Sequence, residues 1–252
     1  VVRKQAMLNF EGINNIRDLG HLPVSGGFVK SGLLLRAARL DAATDGDIDR
    51  LVKMNIKHII DFRDQRERDE FPDRPVPNAQ VHHLSALRPL SGKMSTRMQE
   101  ITAEEISERF KGIYRYMAQG NNAADAYTKF FKILLETDGA VLWHCTQGKD
   151  RTGIASMLLL TALGASEKTI RQDYFETNTA MQKVYNAYAK SGVSEERLLV
   201  ARQYMLVHEE FLEEYFKTMK EEHDSIFNYL LNVIELSQDN IMLLREKYTY
   251  SK

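Results

Sequence analysis

Cysteine is nearly absent from this chain: of 252 residues only Cys145 carries a thiol, so no disulfide can form within it. Oxidation of that thiol would stop at a sulfenic acid, a sulfenamide or a mixed disulfide, since no resolving cysteine is at hand. Such usage fits a reducing compartment. Proline is scarce too, with four of its five copies between Pro72 and Pro89, so elements elsewhere can run unbroken. No run of about 18 apolar residues occurs, and no membrane span is predicted. Nor does one sign of charge dominate: 34 Lys and Arg against 35 Asp and Glu leave a formal -1. That balance gives no case for nucleic acid or an anionic membrane as partner. The opening Val1-Val2-Arg3-Lys4-Gln5 is not the apolar core of a signal peptide. The expectation is a cytoplasmic protein, with export by a route that needs no signal peptide left open.

What is present is an alternation of strand and helix signals. A short apolar run at 32–35 after Gly26-Gly27, the β-branched run at 56–62, residues 80–84 and Ala140–His144 all read as strands. Thr44 followed by Asp45 and Asp47 predicts a helix to about residue 54, and Thr102 with Glu105 has capping-box spacing for a helix toward residue 117. Tyr127, Phe130, Phe131, Leu134 and Leu135 mark one face of a helix over 123–136. Residues 151–163 are apolar nearly all round, as in a helix packed against a sheet. From 166 to 252 only helical signals remain, with Ser166, Ser194 and Ser225 as caps. The fold class expected is α/β: a mostly parallel central sheet flanked by helices, with a helical C-terminal half, in a single domain over residues 1–252.

The chemistry concentrates in His144-Cys145-Thr146-Gln147-Gly148-Lys149-Asp150-Arg151-Thr152-Gly153. A loop between a strand and a helix N-terminus points successive amides into one concavity, where the helix dipole adds positive potential. A tetrahedral phosphoryl group fits there. Gly148 permits unusual backbone dihedrals, and Arg151 offers a planar fork for two phosphate oxygens. The same potential favours the thiolate of Cys145, ready for in-line attack on phosphorus. A lone cysteine at a strand end is ordinarily just buried, but its five-residue gap to Arg151 and the Thr152-Gly153 helix start point to a phosphocysteine enzyme. Thr146, Gln147, Gly148, Lys149 and Thr152 are the candidate phosphate- and substrate-binding residues, with Thr152 also stabilising the departing thiolate. His144 is expected to orient the loop by hydrogen bonding. No cofactor is expected, and no His/Asp cluster with metal-ligand spacing is evident.

The leaving oxygen needs a proton, so a carboxyl group should stand near the loop. Asp150 in the loop, Asp61 at a strand's carboxyl end and Asp73 in Phe71-Pro72-Asp73 are the candidates. A carboxyl beside bound phosphate is repelled by it and stays protonated, which suits Asp150 as donor. Asp73 reads more simply as a proline-flanked surface turn.

These residues carry a resemblance. The loop from His144 to Gly153 is similar to the signature of protein tyrosine phosphatases, in the Gly-Lys-Asp-Arg-Thr-Gly form of the atypical bacterial tyrosine and phosphoinositide phosphatases. Asn15-Ile16-Arg17-Asp18-Leu19-Gly20, Leu35-Arg36-Ala37-Ala38-Arg39-Leu40, Ile60-Asp61-Phe62-Arg63 with Glu67, and Asp173-Tyr174 with Asn178 resemble further elements of that group, in the same order. The resemblance implies a protein tyrosine phosphatase-like fold and Asp150 as the acid, with Asp61 supporting the loop or sharing the role. It also implies that the aromatic-rich residues 166–222 form a helical lid or insertion, ordinary helical packing being the alternative. The substrate implied is a phosphorylated protein carrying phosphotyrosine-type monoesters, with inorganic phosphate as product. The alternative is a phosphoinositide or inositol phosphate, for which Lys149 would supply a second cation at the rim. Gln147 departs from the small alanine usual in the group.

Overall fold

The computed structural model describes residues 7–87 and 101–251; the opening residues that bear on localisation lie outside this set. Short strands come first: β1 (Arg17–Asp18), β2 (Pro23–Val24), β3 (Gly27–Val29) and β4 (Leu34–Ala37). Then α1 (Asp45–Lys53), β5 (Ile56–Asp61), α2 (Gln65–Glu70) and β6 (Gln80–His83) alternate, followed by α3 (Ala103–Gln119) and α4 (Asn121–Glu136). β7 (Ala140–His144) leads into α5 (Asp150–Ala162). Finally α6 (Glu167–Ala189), α7 (Glu195–Met205), α8 (Glu209–His223), α9 (Ile226–Asn232) and α10 (Gln238–Tyr248) run to β8 (Thr249–Ser251). Among the described residues no helix is long and apolar enough to cross a membrane.

The larger sheet has the order β1-β4-β7-β5-β6. Its β4–β7, β7–β5 and β5–β6 pairs are parallel and only β1–β4 is antiparallel, so the α/β class expected from the sequence is what folds. Because strand side chains alternate between faces, Leu34, Val141, Trp143 and Ile60 enter one core with α3, α4, α5 and the C-terminal helices. Leu35, Leu142 and Ile59 enter the other, with Ile48 and Leu51 of α1. α5 lies inside the first layer, and its ring of buried residues explains why it is apolar nearly all round. Register places Ala37, His144 and Asp61 side by side at the carboxyl edge, where open α/β sheets gather their sites.

The caps expected at Thr44, Thr102, Ser166, Ser194 and Ser225 all accept a backbone N–H from the first turn of their helices. One expectation is corrected. Residues 166–252 are not wholly helical: β8 pairs antiparallel with β3, which also pairs with β2 in a hairpin turned by Gly26 at φ +81. Three residues are too few to show a period, and their partner lies over 200 positions away. The strand at 32–35 also forms two residues later, as β4, and the charged run after Asp61 is a helix, α2.

Candidate active site

The loop after β7 is defined by where its carbonyls go. The Cys145 oxygen lies 3.2 Å from Nδ1 of His144, and the Thr146 oxygen accepts from the amide of Arg39. The carbonyls of Gln147 and Gly148 both accept from Nδ2 of Asn15, at 3.0 Å each. Arg36 Nη2 donates to Gly148 at 2.8 Å and to Lys149 at 3.4 Å. Across a planar trans peptide the C=O and the following N–H point in opposite directions. Five successive carbonyls turned outward therefore turn the amides of residues 146–150 inward, onto the N-terminus of α5. Gly148 sits at φ +66, and a Cβ there would lie 2.3 Å from the Ala37 carbonyl oxygen. Both the dihedral and the close approach require glycine.

Beneath the loop lies a buried ion network. Asp173 of α6 takes Arg17 Nε at 3.1 Å and Arg36 Nη1 at 2.5 Å, all three within 2% of full burial. Arg17 also bonds Asn15 Oδ1, Thr177 and the Asp173 carbonyl. Burial, then repulsion from Arg36, lowers Arg17 to about 10. Burial alone would raise the Asp173 carboxyl, but the two guanidiniums hold it below its ordinary range. Two cations against one anion leave net positive charge under the loop, on the side opposite the amides.

Arg151 is oriented from the front. Its Nη1 and Nη2 donate to Glu67 Oε2 and Oε1 at 2.6 and 2.8 Å, and the Thr146 hydroxyl also donates to Oε1. Glu67 closes a capping box with Asp64 as the third residue of α2, so one carboxylate caps a helix and aims a guanidinium. Burial would raise it, yet the bonds from Arg151 and Thr146 bring it down to about 2. This end-on fork leaves the Nε side of Arg151 for a second, phosphate-binding fork.

The sequence singled out Asp61 and treated Asp73 as a surface turn, whereas the structure joins them. Asp61 is fully buried, with both oxygens bonded to Arg63. Asp73 takes Arg63 Nη2 at 2.6 Å, and its other oxygen accepts from the Leu40 amide. His144 is wholly buried between them, Nε2 3.2 Å from Asp73 Oδ2 though out of hydrogen-bond alignment, and Nδ1 3.9 Å from Asp61 Oδ1. Burial would lower His144, but Asp61 and Asp73 raise it, which suits Nδ1–H as a donor to the Cys145 carbonyl. Asp61, Asp73 and His144 bring one ligand atom each within 4.8 Å of one another, a cluster the sequence did not reveal. Arg63 already supplies the positive charge that both carboxylates need, which leaves the trio poorly suited to a cation.

Cys145 is 2% exposed and free. Asp150 opens α5 with its Oδ1 accepting from Tyr114 at 2.7 Å and its Oδ2 3.8 Å from Lys149 Nζ. The Thr152 hydroxyl is buried with no hydrogen-bond partner among the described residues, so its expected bond to the Cys145 sulfur is not made here. Lys149 is not a solvated rim cation. It is 2% exposed, and Nζ donates to the Tyr204 and Leu206 carbonyls at 2.5 and 3.3 Å, 4.4 Å from the Phe110 ring centroid. The end of α7 offers carbonyls with no partner in their own helix, and a cation answers them. Burial, its largest cost, lowers the Lys149 ammonium.

A profile described as the tyrosine phosphatase family matches residues 8–250. A Cupriavidus necator protein named "Putative tyrosine-protein phosphatase" is 31% identical over 182 residues, 68% of this chain and 63% of its own length. A Nostoc commune "Tyrosine-protein phosphatase" is 29% identical over 146 residues, 58% of this chain and 48% of its own. A Mycobacterium tuberculosis "Triple specificity protein phosphatase PtpB" is 25% identical over 206 residues, 71% and 72% of the two chains. The chain thus spans less than two thirds of the length of the first two relatives.

Proposed function

Since the chain belongs to the tyrosine phosphatase family, we propose that it hydrolyses phosphotyrosine-type monoesters through a phosphocysteine intermediate. The observation that carries this reading is the loop itself, five carbonyls turned out and five amides turned in before a single cysteine. The amides and Arg151 bind the three non-bridging oxygens of the phosphoryl group. Sγ attacks phosphorus as the ester P–O bond breaks, and the leaving oxygen takes the proton of Asp150. Water then attacks the phosphocysteine while the Asp150 carboxylate removes its proton. The S–P bond breaks, and thiolate and inorganic phosphate are released. Asp61 acts through Arg63 and His144, holding the first carbonyl of the loop, with both its oxygens bonded to the Arg63 guanidinium.

We read the whole chain as one phosphatase domain, with residues 166–222 lying against the loop through the carbonyls that Lys149 holds. That engagement removes the rim cation on which a phosphoinositide substrate depended, so the phosphotyrosine reading is preferred. The test is phosphate release from a phosphotyrosine peptide, a phosphoserine peptide and a phosphoinositide, with chelator present and Cys145→Ser in parallel. Turnover of the phosphotyrosine peptide, lost in the serine variant, is expected. Activity that survives in the serine variant, or that chelator abolishes, overturns the reading.

A further inference from the structure

Asp150 is the one carboxylate of the loop, and a proton donor at a helix N-terminus has an orientation problem. The dipole and the free amides of the first turn draw an aspartate side chain back toward its own helix. Asp150 does not cap α5, whose first turn has no side-chain cap. Instead two helices far apart in sequence each contribute a hydroxyl to a chain that ends on it. Tyr114 of α3 donates to Oδ1 at 2.7 Å, and the Tyr174 hydroxyl of α6 lies 2.8 Å from that of Tyr114. Tyr114 has one proton and gives it to Asp150, so its oxygen accepts from Tyr174. The chain runs one way, from Tyr174 through Tyr114 to Asp150.

We infer that Tyr114, backed by Tyr174, is the positioning residue that makes Asp150 a directed proton donor. With Oδ1 accepting from a phenol that keeps its own proton, Oδ2 is left as the oxygen that serves the leaving group, with Lys149 Nζ 3.8 Å from it. Packing fixes both rings in place. Tyr114 and Tyr174 meet edge to face at 89° with centroids 6.4 Å apart, and Tyr114 packs on Phe211. Both side chains are within 2% of complete burial, and burial raises both phenols well above their ordinary value, so they remain protonated donors at any working pH. The pairing is not forced by the core's need to satisfy hydroxyls, because the buried Tyr215 and Tyr229 hydroxyls have no hydrogen-bond partner among the described residues.

This rests on Asp150 being the acid, and the test separates the two claims. Leaving-group dependence is read with p-nitrophenyl phosphate, which departs without help, against phenyl phosphate, which needs a proton. Read in kcat/KM, which reports phosphoryl transfer to Cys145 and not the shared hydrolysis step, Asp150→Asn should lose far more on phenyl phosphate than on p-nitrophenyl phosphate. Tyr114→Phe should lose roughly 10-fold on phenyl phosphate, a part of the ~10²–10⁴ a general acid supplies, and under about 2-fold on p-nitrophenyl phosphate. Inhibition by inorganic phosphate should stay put, and Tyr174→Phe should show the same pattern more weakly. Should Asp150→Asn discriminate between the substrates while Tyr114→Phe and Tyr174→Phe do not, the inference falls and the acid assignment stands. No discrimination by Asp150→Asn removes both. An equal loss on both substrates in Tyr114→Phe marks a packing defect and also overturns the inference, with Tyr174→Phe as the check if that variant does not fold.

Discussion

Replacing Glu67 by glutamine isolates the clamp on Arg151 from everything else Glu67 does. Glutamine is accepted at the third position of a capping box, so α2 should survive while the charge facing the guanidinium disappears. The carboxyl is held at about 2 against an ordinary 4.5, a difference equivalent to about 3 kcal/mol of preference for the ionised form. At 29% exposure solvent screens part of that, and a charge-assisted bond is worth about 1.5–3 kcal/mol. The expected loss in kcat/KM is therefore about 10–100-fold, at 1.4 kcal/mol per tenfold. The sign of the pH effect follows from the same shift. Because the folded value lies below the unfolded one, the pair stabilises the fold above about pH 4.5, and this is lost as pH falls toward 2. Urea unfolding at pH 6 and pH 3 should show the wild type losing more stability than Glu67→Gln across that interval. A variant within twofold of wild type in kcat/KM, with the same acid sensitivity, would refute the clamp.

Asp173→Asn leaves Arg17 and Arg36 buried beside each other with their shared anion gone; a loss of about 3–5 kcal/mol is expected in chemical unfolding, and wild-type stability would contradict the network. Gly148→Ala forces a side chain to φ +66 and against the Ala37 carbonyl, so activity should vanish at a stability cost of about 1–3 kcal/mol; near-normal turnover would mean the loop is not the site. Lys149→Met keeps the apolar stem between Phe110 and Tyr204 but removes both bonds to α7. Amide exchange in residues 203–208 should rise while the melting temperature moves little, and unchanged exchange would contradict a holding role for Lys149 on the Tyr204 and Leu206 carbonyls.

The sequence made the loop legible because its chemistry is local: a cysteine, a glycine and an arginine at fixed spacing before a helix start. The parallel sheet was legible for the same kind of reason, since β5 is a β-branched run and β7 an apolar one, each bounded by breaks. What could not be read was the company each charge keeps. Asp73 looks like a turn residue until β5 and β7 bring Arg63 and His144 beside it. Lys149 looks like a solvated cation until α7, some 55 residues on, presents its terminal carbonyls. Glu67 carried a usable signal in the Asp64–Glu67 capping-box spacing, which marks α2 and would have fixed where that carboxylate points. Tyr114 carried none, since one aromatic on a helical face is indistinguishable from core. β8 was hidden by its length of three residues and by a partner at the other end of the chain.

The central claim is that Cys145 carries the phosphoryl group between substrate and water. Wild-type protein quenched in acid during turnover of a phosphotyrosine peptide, digested and weighed, should show one phosphoryl group on the peptide containing Cys145 and none in Cys145→Ser. A phosphoryl group on any other residue, or turnover with no labelled Cys145 at any quench time, would contradict it.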